Sequence, residues 1–251
     1  MGDNGTMALK VDSSPEYCKA AIEKSLQRLG LPHVDLYYCH RLDKVTPIEK
    51  TVQAMAELKK EGKIRYLGLS ECSAESLSRA HAVHPITAVQ VEYGPACLAI
   101  ESPETKLLET CRELGVAVVC YSPLGNGLLG GGIRSFEDVS KPGDARGQLL
   151  PSMKAENIDK NIAVVDQLAE LAKRKGATVG QLCLAWLLAQ GKGIFPTFGT
   201  TKASRLTENI GGMEVEVSPD EDQEVRAIVG QLYAPRFQAI TGFTFADTPA
   251  L

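Results

Sequence analysis

The sequence predicts a single α/β domain with a parallel sheet, of the kind found in (β/α) barrels, and three observations carry the prediction. Brief apolar runs near residues 36, 66, 89, 118 and 195 alternate with sequence of helical period, as expected when helices cover the outside of a parallel sheet. Capping residues mark several helix starts between them. The length of 251 residues and a hydrophobic content of 44% suit one (β/α)8 barrel with a substantial core.

Ser14-Pro15, followed by Tyr17, Ala20, Ala21, Ile22, Leu26 and Leu29 with Gly30 behind them, reads as a capped amphipathic helix and its stop. Residues 35–39 form the first strand. Thr46-Pro47-Ile48-Glu49 reads as a capping box with proline at the first helical position, and Val52, Met55, Ala56 and Leu58 are the apolar set of a helix that stops at Gly62. A strand over 64–69, a helix over 73–83, a strand over 87–91, a helix over 102–114 and a strand over 116–120 follow. Between Ser122 and Glu156 seven glycines and three prolines break the rhythm, and a loop that long in a compact domain is usually functional or disordered.

Ile162, Val165, Leu168, Ala169 and Ala172 mark the next helix. Thr178 with Gln181 caps another, whose Leu182, Ala185, Trp186 and Ala189 share one face. Residues 193–197 are the fifth strand, and the closing helices start at Ala203 and at Ser218-Pro219-Asp220-Glu221. The domain spans 1–251, with a variable segment over 1–14 and a tail without clear period over 231–251. Five parallel strands do not close an eight-stranded ring, so on composition a doubly wound sheet is as acceptable as an incomplete barrel. Either leaves open sheet edges at which a second chain can pair.

Composition removes several function classes. Twenty-seven Lys and Arg stand against 31 Asp and Glu, a formal charge of -4 with no block of one sign, which argues against nucleic acid as a partner. Seven scattered cysteines, never spaced as Cys-x-x-Cys, give neither a disulfide framework nor a zinc knuckle and suit a reducing compartment. No segment offers about 20 consecutive apolar residues. The reading is cytoplasmic, without membrane or metal.

Residues able to carry chemistry sit at strand ends, where parallel α/β proteins place reacting groups. His40 closes Asp35-Leu36-Tyr37-Tyr38-Cys39-His40-Arg41. It reads either as a hydrogen-bonded strand-end histidine or as a neutral imidazole that orients a carbonyl oxygen. Ser70 after the second strand and Gln90 in the third can together hold an amide-bearing ring, though loop capping and a satisfied buried amide explain them equally. Tyr121, in Tyr121-Ser122-Pro123-Leu124, offers a flat face to a planar ligand or simply fills core. Gly199-Thr200-Thr201-Lys202 with Arg205, Glu208 and Asn209 makes a phosphate site plausible at a turn entering a helix. Neither a P-loop nor a Rossmann glycine fingerprint is present in its required context.

Taken in order, five stretches resemble the aldo-keto reductase family. They are Asp35 to Arg41, Gly62-Lys63-Ile64-Arg65-Tyr66-Leu67-Gly68-Leu69-Ser70, Gln90-Val91-Glu92-Tyr93, Tyr121-Ser122-Pro123-Leu124-Gly125, and Gly199-Thr200-Thr201-Lys202 with Arg205, Glu208 and Asn209. The resemblance runs from about Pro15 to Val229 and is nearest to the branch that reduces aldehydes and ketones in plants and fungi. The ending Phe245-Ala246-Asp247-Thr248-Pro249 is similar to that branch as well.

The resemblance implies a (β/α)8 TIM-barrel type of fold, an extended NADPH bound without a Rossmann domain, and hydride transfer from its nicotinamide to a carbonyl substrate. It implies His40 as the active-site histidine, Ser70 and Gln90 as holders of the carboxamide, and Tyr121 as the ring stacked on the nicotinamide. Ser122 and Leu124 then belong to the belt over the pyrophosphate. Gly199, Thr200, Thr201, Lys202, Arg205, Glu208 and Asn209 belong to the adenosine and 2'-phosphate site. Glu71 departs from the asparagine common in much of the family. Members normally begin with three strand and helix units that supply an aspartate, a proton-donating tyrosine and a lysine that lowers its pKa, and nothing in front of residue 15 resembles them. The expected barrel is therefore incomplete, with strands equivalent to the fourth to eighth. The alternative to a reductase is a catalytically impaired nucleotide-binding remnant or interaction subunit.

Overall fold

The computed structural model describes residues 11–236 and 244–251. The strand order is the chain order, β1-β2-β3-β4-β5, and the registered pairs are parallel. The fold is thus α/β with a parallel sheet and surrounding helices, as the alternation of apolar runs predicts. Residues 1–10 of the variable segment and 237–243 of the tail lie outside the described residues. The chain divides into two compact units, Met1–Gln90 with Glu104–Ala117 and Gly242–Leu251, and Val91–Pro103 with Val118–Thr241.

In the first unit α1 (Pro15–Leu29) starts where Ser14 accepts the Tyr17 N–H through its hydroxyl at 3.2 Å, with proline at the first helical position. It stops at Gly30, whose φ of 66° only glycine adopts without strain. Cys18, Ile22 and Leu26 recur at helical spacing and are the buried face. Then come β1 (Val34–Cys39), α2 (Ile48–Lys60), β2 (Ile64–Ser70), α3 (Ala74–Val83), β3 (Ala88–Glu92, of which Val91 and Glu92 fall to the second unit) and α4 (Leu107–Glu113). Tyr38 pairs with Gly68 and Ser70 with Gln90 across the strands. The Tyr38 ring covers Gly68 so closely that a Cβ there would stand 2.5 Å from it, which fixes glycine at 68 by contact rather than by φ.

Two expectations fail here. The capping box at Thr46 does not form, because Thr46 gives its hydroxyl to Asp43 at 2.8 Å and Glu49 pairs with Arg79 at 2.7 Å. Pro47 becomes the N-cap residue itself, and it has no N–H for Glu49 to accept. The helix expected over 102–114 is only Leu107–Glu113, since Lys106 at φ 49° lies in the left-handed region and interrupts it.

Asp43 organises the turn behind β1. It accepts from the N–H groups of Ser13, Val45 and Thr46 at 3.0, 2.9 and 2.7 Å. Burial works to raise its pKa, but the N–H donors of Thr46, Ser13 and Val45 and the Thr46 hydroxyl prevail and hold it at about 2. A folded pKa below the unfolded value contributes stability that is present above about 4 and is lost as pH falls from about 4 to about 2. Asp43→Ala should lower unfolding free energy by about 2 kcal/mol at neutral pH and remove that part of the acid dependence, as urea melts at neutral and acid pH would read.

The described end of the tail lies on the first unit. Ala246 donates to the Glu71 carbonyl at 2.8 Å and accepts from the Ser73 N–H at 3.1 Å, while Arg79 donates to the Thr248 and Pro249 carbonyls at 2.8 and 2.6 Å.

The second unit carries β4 (Ala117–Tyr121, of which Ala117 falls to the first unit), the short turn α5 (Arg146–Leu149), α6 (Ile158–Arg174), α7 (Val179–Ala189), β5 (Ile194–Pro196), α8 (Ala203–Ile210) and α9 (Pro219–Val229). Thr178 with Gln181 and Ser218 with Glu221 each form a complete capping box. The single apolar face expected for α7 is too narrow: Val179, Leu182, Cys183, Leu184, Ala185, Trp186 and Leu187 are all buried, so this helix is covered nearly all round. The glycine-rich stretch after β4 is built from short helical turns over 125–130, 136–139, 146–149 and 151–153, the first of them kinked at Asn126 and Gly127, whose φ values of 57° and 99° are not helical, and it is pinned by buried Leu128, Leu129, Val139 and Met153.

Candidate functional site

His40, Ser70 and Gln90 belong to the first unit, and the strand register brings them to one place. Ser70 faces Gln90 in the parallel pairing, and His40 follows Cys39, the partner of Leu69. With side chains alternating along each strand, Tyr38, Gly68 and Ser70 lie on one face of the sheet, with Gln90 beside Ser70. Glu71 takes φ 55° just after Ser70, so the chain leaves β2 through a left-handed residue that is not glycine. Its N–H donates to the Gln90 carbonyl at 3.1 Å, which ties the two strand ends together.

Ser70 is only 1% exposed, whereas Gln90 is half-buried and His40 exposed. Arg41 meets Ser70: its Nη1 donates to the Ser70 hydroxyl at 2.9 Å and to the His40 carbonyl at 2.7 Å. Partial desolvation lowers the pKa of His40, the Arg41 cation lowers it further, and the Glu71 carboxylate opposes both. At neutral pH the ring is therefore uncharged. It can donate one N–H and accept at the other nitrogen, but it is a weak acid. The nearby tyrosines are no better placed to lose a proton. Burial raises the pKa of Tyr38, and burial with the neighbouring Cys18 raises that of Tyr37, whose hydroxyl donates to the Cys18 carbonyl at 2.9 Å.

The other candidates belong to the second unit. A cavity of about 740 Å³ there is lined by Ser122, Leu124, Gly199, Thr200, Thr201, Arg205, Glu208 and Asn209, eight of the residues singled out in the sequence. Its size is that of a site for a small molecule or cofactor. Tyr121 and Lys202 do not line it; Tyr121 is half-buried at the end of β4 and Lys202 exposed at the start of α8. Ser122 takes φ 51° after Tyr121, the same device that Glu71 supplies after Ser70. Gln181 holds α8 in place by donating to the Glu208 carbonyl at 3.0 Å.

Among the lining groups that escaped the sequence reading are Asp138, Lys141, Arg146, Phe198 and Gly180. The first three come from the glycine-rich loop, whose length flags function without saying which side chains turn inward. Gly180 brings the amino end of α7, with its partial positive charge, to the cavity wall. The cations differ in availability. Arg146 is tied to Asp144 at 2.7 Å and Lys141 lies 3.6 Å from Asp138, but the Arg205 guanidinium has no ion-pair or hydrogen-bond partner among the described residues. An unpaired guanidinium beside two threonine hydroxyls, a helix start and glycines that leave room for a ligand is a donor set for a phosphate-bearing group. Among the described residues no three His, Cys, Asp or Glu side chains group to hold a metal, and no helix is long and apolar enough to cross a membrane.

Residues 4–229 match the model of the "Aldo/keto reductase family". The chain is 48% identical over 242 residues to "Aldo-keto reductase str7" of Strobilurus tenacellus, covering 96% of this chain and 71% of the relative. It is 42% identical over 252 residues to "Aldo-keto reductase yakc [NADP(+)]" of Schizosaccharomyces pombe, covering 98% and 73%. Among solved structures, the glycerol dehydrogenase AKR11B4 from Gluconobacter oxydans superposes with a TM-score of 0.76 at 27% identity, covering 90% of this chain and 67% of that one.

Proposed function

The chain belongs to the aldo/keto reductase family, and from that premise we propose that it reduces an aldehyde or ketone to the alcohol with NADPH. The observation that carries the cofactor choice is Arg205, a cation in the cavity wall with no protein partner among the described residues. On this reading Arg205 and Lys202 would hold the 2'-phosphate, Thr200, Thr201, Glu208 and Asn209 the adenosine, Ser122 and Leu124 the pyrophosphate. Ser70 and Gln90 would hold the carboxamide and Tyr121 would stack on the ring. When bound, NADPH supplies the hydride that adds to the carbonyl carbon.

His40 then has a defined task. Hydride addition puts negative charge on the carbonyl oxygen, and a neutral imidazole kept uncharged by its surroundings donates its ring N–H to that oxygen. Steady-state oxidation of NADPH over a panel of aldehydes and ketones tests the reading, and no turnover above the rate without protein would defeat it for this chain.

Cofactor choice has its own test. Arg205 can make charge-assisted bonds to a dianionic 2'-phosphate that NADH lacks, so Arg205→Ala should weaken NADPH binding by about ten- to a hundredfold and leave NADH binding unchanged. The loss should shrink at higher salt, because an exposed phosphate contact is screened. Fluorescence titration with both cofactors reads the difference, and equal affinities in the parent chain would refute it.

A second reading is favoured by one observation: burial raises the pKa of Tyr38, which shares a sheet face with Ser70, and Tyr37 on the other face is bound to the Cys18 carbonyl, so neither tyrosine is a ready proton donor beside His40. On that reading the chain binds NADPH without turning it over. Tight NADPH binding together with absent turnover is its signature.

A further inference from the structure

Arg41 spends only one of its nitrogens on the protein. Nη1 makes both of its bonds, to the His40 carbonyl at 2.7 Å and to the Ser70 hydroxyl at 2.9 Å. Nε and Nη2, the two nitrogens along the guanidinium's outer edge, have no partner among the described residues. The nearest carboxylate in sequence, Asp43, is committed to the N–H groups of Ser13, Val45 and Thr46 and to the Thr46 hydroxyl. Two parallel N–H donors on one planar edge are the fork that matches a carboxylate, a geometry that a lysine ammonium cannot offer.

The anchoring matters as much as the free edge. Both hydrogens of Nη1 are held, one by the chain leaving β1 and one by the end of β2, so the guanidinium is fixed before a ligand arrives and loses little freedom on binding. It is half-buried, where a charged hydrogen bond is screened less than at the surface. Arg41 follows His40 directly in the chain and holds its carbonyl, and its charge opposes protonation of the His40 ring.

From this geometry we infer that Arg41 is a specificity-determining residue that binds the carboxylate of a substrate bearing both a carbonyl and a carboxylate, so that the chain's preferred substrates are oxo acids. The inference rests on the carbonyl reductase reading and names the substrate class for it. Arg41 grips the carboxylate through Nε and Nη2, His40 meets the carbonyl oxygen, and Ser70 serves to hold the fork.

The test measures binding rather than turnover. Ligand-observed NMR gives the affinities of phenylglyoxylate and of phenylglyoxylamide, which differ only in the charged group, with and without NADP+. The parent chain should bind the carboxylate about tenfold or more tightly than the amide. Arg41→Met should bring the two affinities together while NADP+ affinity stays within about twofold of the parent. Arg41→Lys keeps a charge but not the fork, should lose most of the preference, and is the deciding variant if Arg41→Met does not fold. Equal affinities in the parent, or a preference that survives in both variants, would overturn the inference. A loss of NADP+ affinity in proportion to the loss of carboxylate would show a structural residue and overturn it too. If the parent binds no NADP+ yet shows an Arg41-dependent carboxylate preference, the reductase reading falls while the carboxylate site stands.

Discussion

His40→Ala is expected to lower kcat/KM for NADPH-dependent carbonyl reduction by about 10²- to 10⁴-fold, the usual contribution of a group that donates to a reacting oxygen. The loss should appear in kcat, because the interaction strengthens only as charge develops on oxygen. NADPH affinity should stay within about threefold, since the cation and hydroxyls that would hold its phosphates lie on other elements. His40→Gln, which keeps an N–H donor, should retain more kcat than the alanine variant. Rapid-mixing kinetics that separate binding from hydride transfer check both statements. A variant that loses NADPH affinity instead of kcat would assign His40 to cofactor binding.

Arg226→Met is expected to have the largest effect on stability, about 3 kcal/mol, because it breaks a network in which every member is part-buried or buried. Arg226 donates to Glu101 at 2.6 and 3.2 Å, to Asp222 at 3.0 and 3.2 Å and to Gln190 at 2.7 Å, and its guanidinium carbon lies 5.0 Å from the centre of the Trp186 ring. Tyr93 donates its hydroxyl to Glu101 and meets Trp186 edge to face with ring centres 6.0 Å apart. Removing the cation leaves the Glu101 carboxylate with only the neutral Tyr93 hydroxyl as a side-chain partner among the described residues, in a setting that disfavours an unpaired charge. Arg226→Lys, which restores one charge but not the fork, should recover less than half of the loss. Urea denaturation reads both variants; a loss below about 1 kcal/mol would show the network to be replaceable.

Much of this was legible in the sequence, and the exceptions have physical causes. Strand ends could be read because short apolar runs end at polar residues, which put His40, Ser70 and Gln90 at their places before any contact was known. The cap at Thr178 and the helix start at Ser218 are equally plain, yet the box pattern at Thr46 fails because Asp43 and Arg79, remote in pattern or in chain, take the local partners. A left-handed Lys106 has no mark in composition, so the helix start near 102 was misplaced. The cavity was half legible. Its strand-end wall came from motifs, whereas Arg146 and Phe198 reach it through the path of loops that no period describes. Least legible was Arg41, whose role depends on which nitrogen bonds to Ser70, a fact of geometry alone.

The most direct measurement is isotopic. Incubating the chain with an aldehyde and NADPH carrying deuterium at both C4 positions should yield an alcohol with one deuterium on the former carbonyl carbon, read by mass spectrometry, and the Arg205→Ala variant should yield less at the same cofactor concentration. An alcohol without deuterium, or none above the control lacking protein while NADPH binds tightly, would contradict hydride transfer and leave nucleotide binding as the function of this chain.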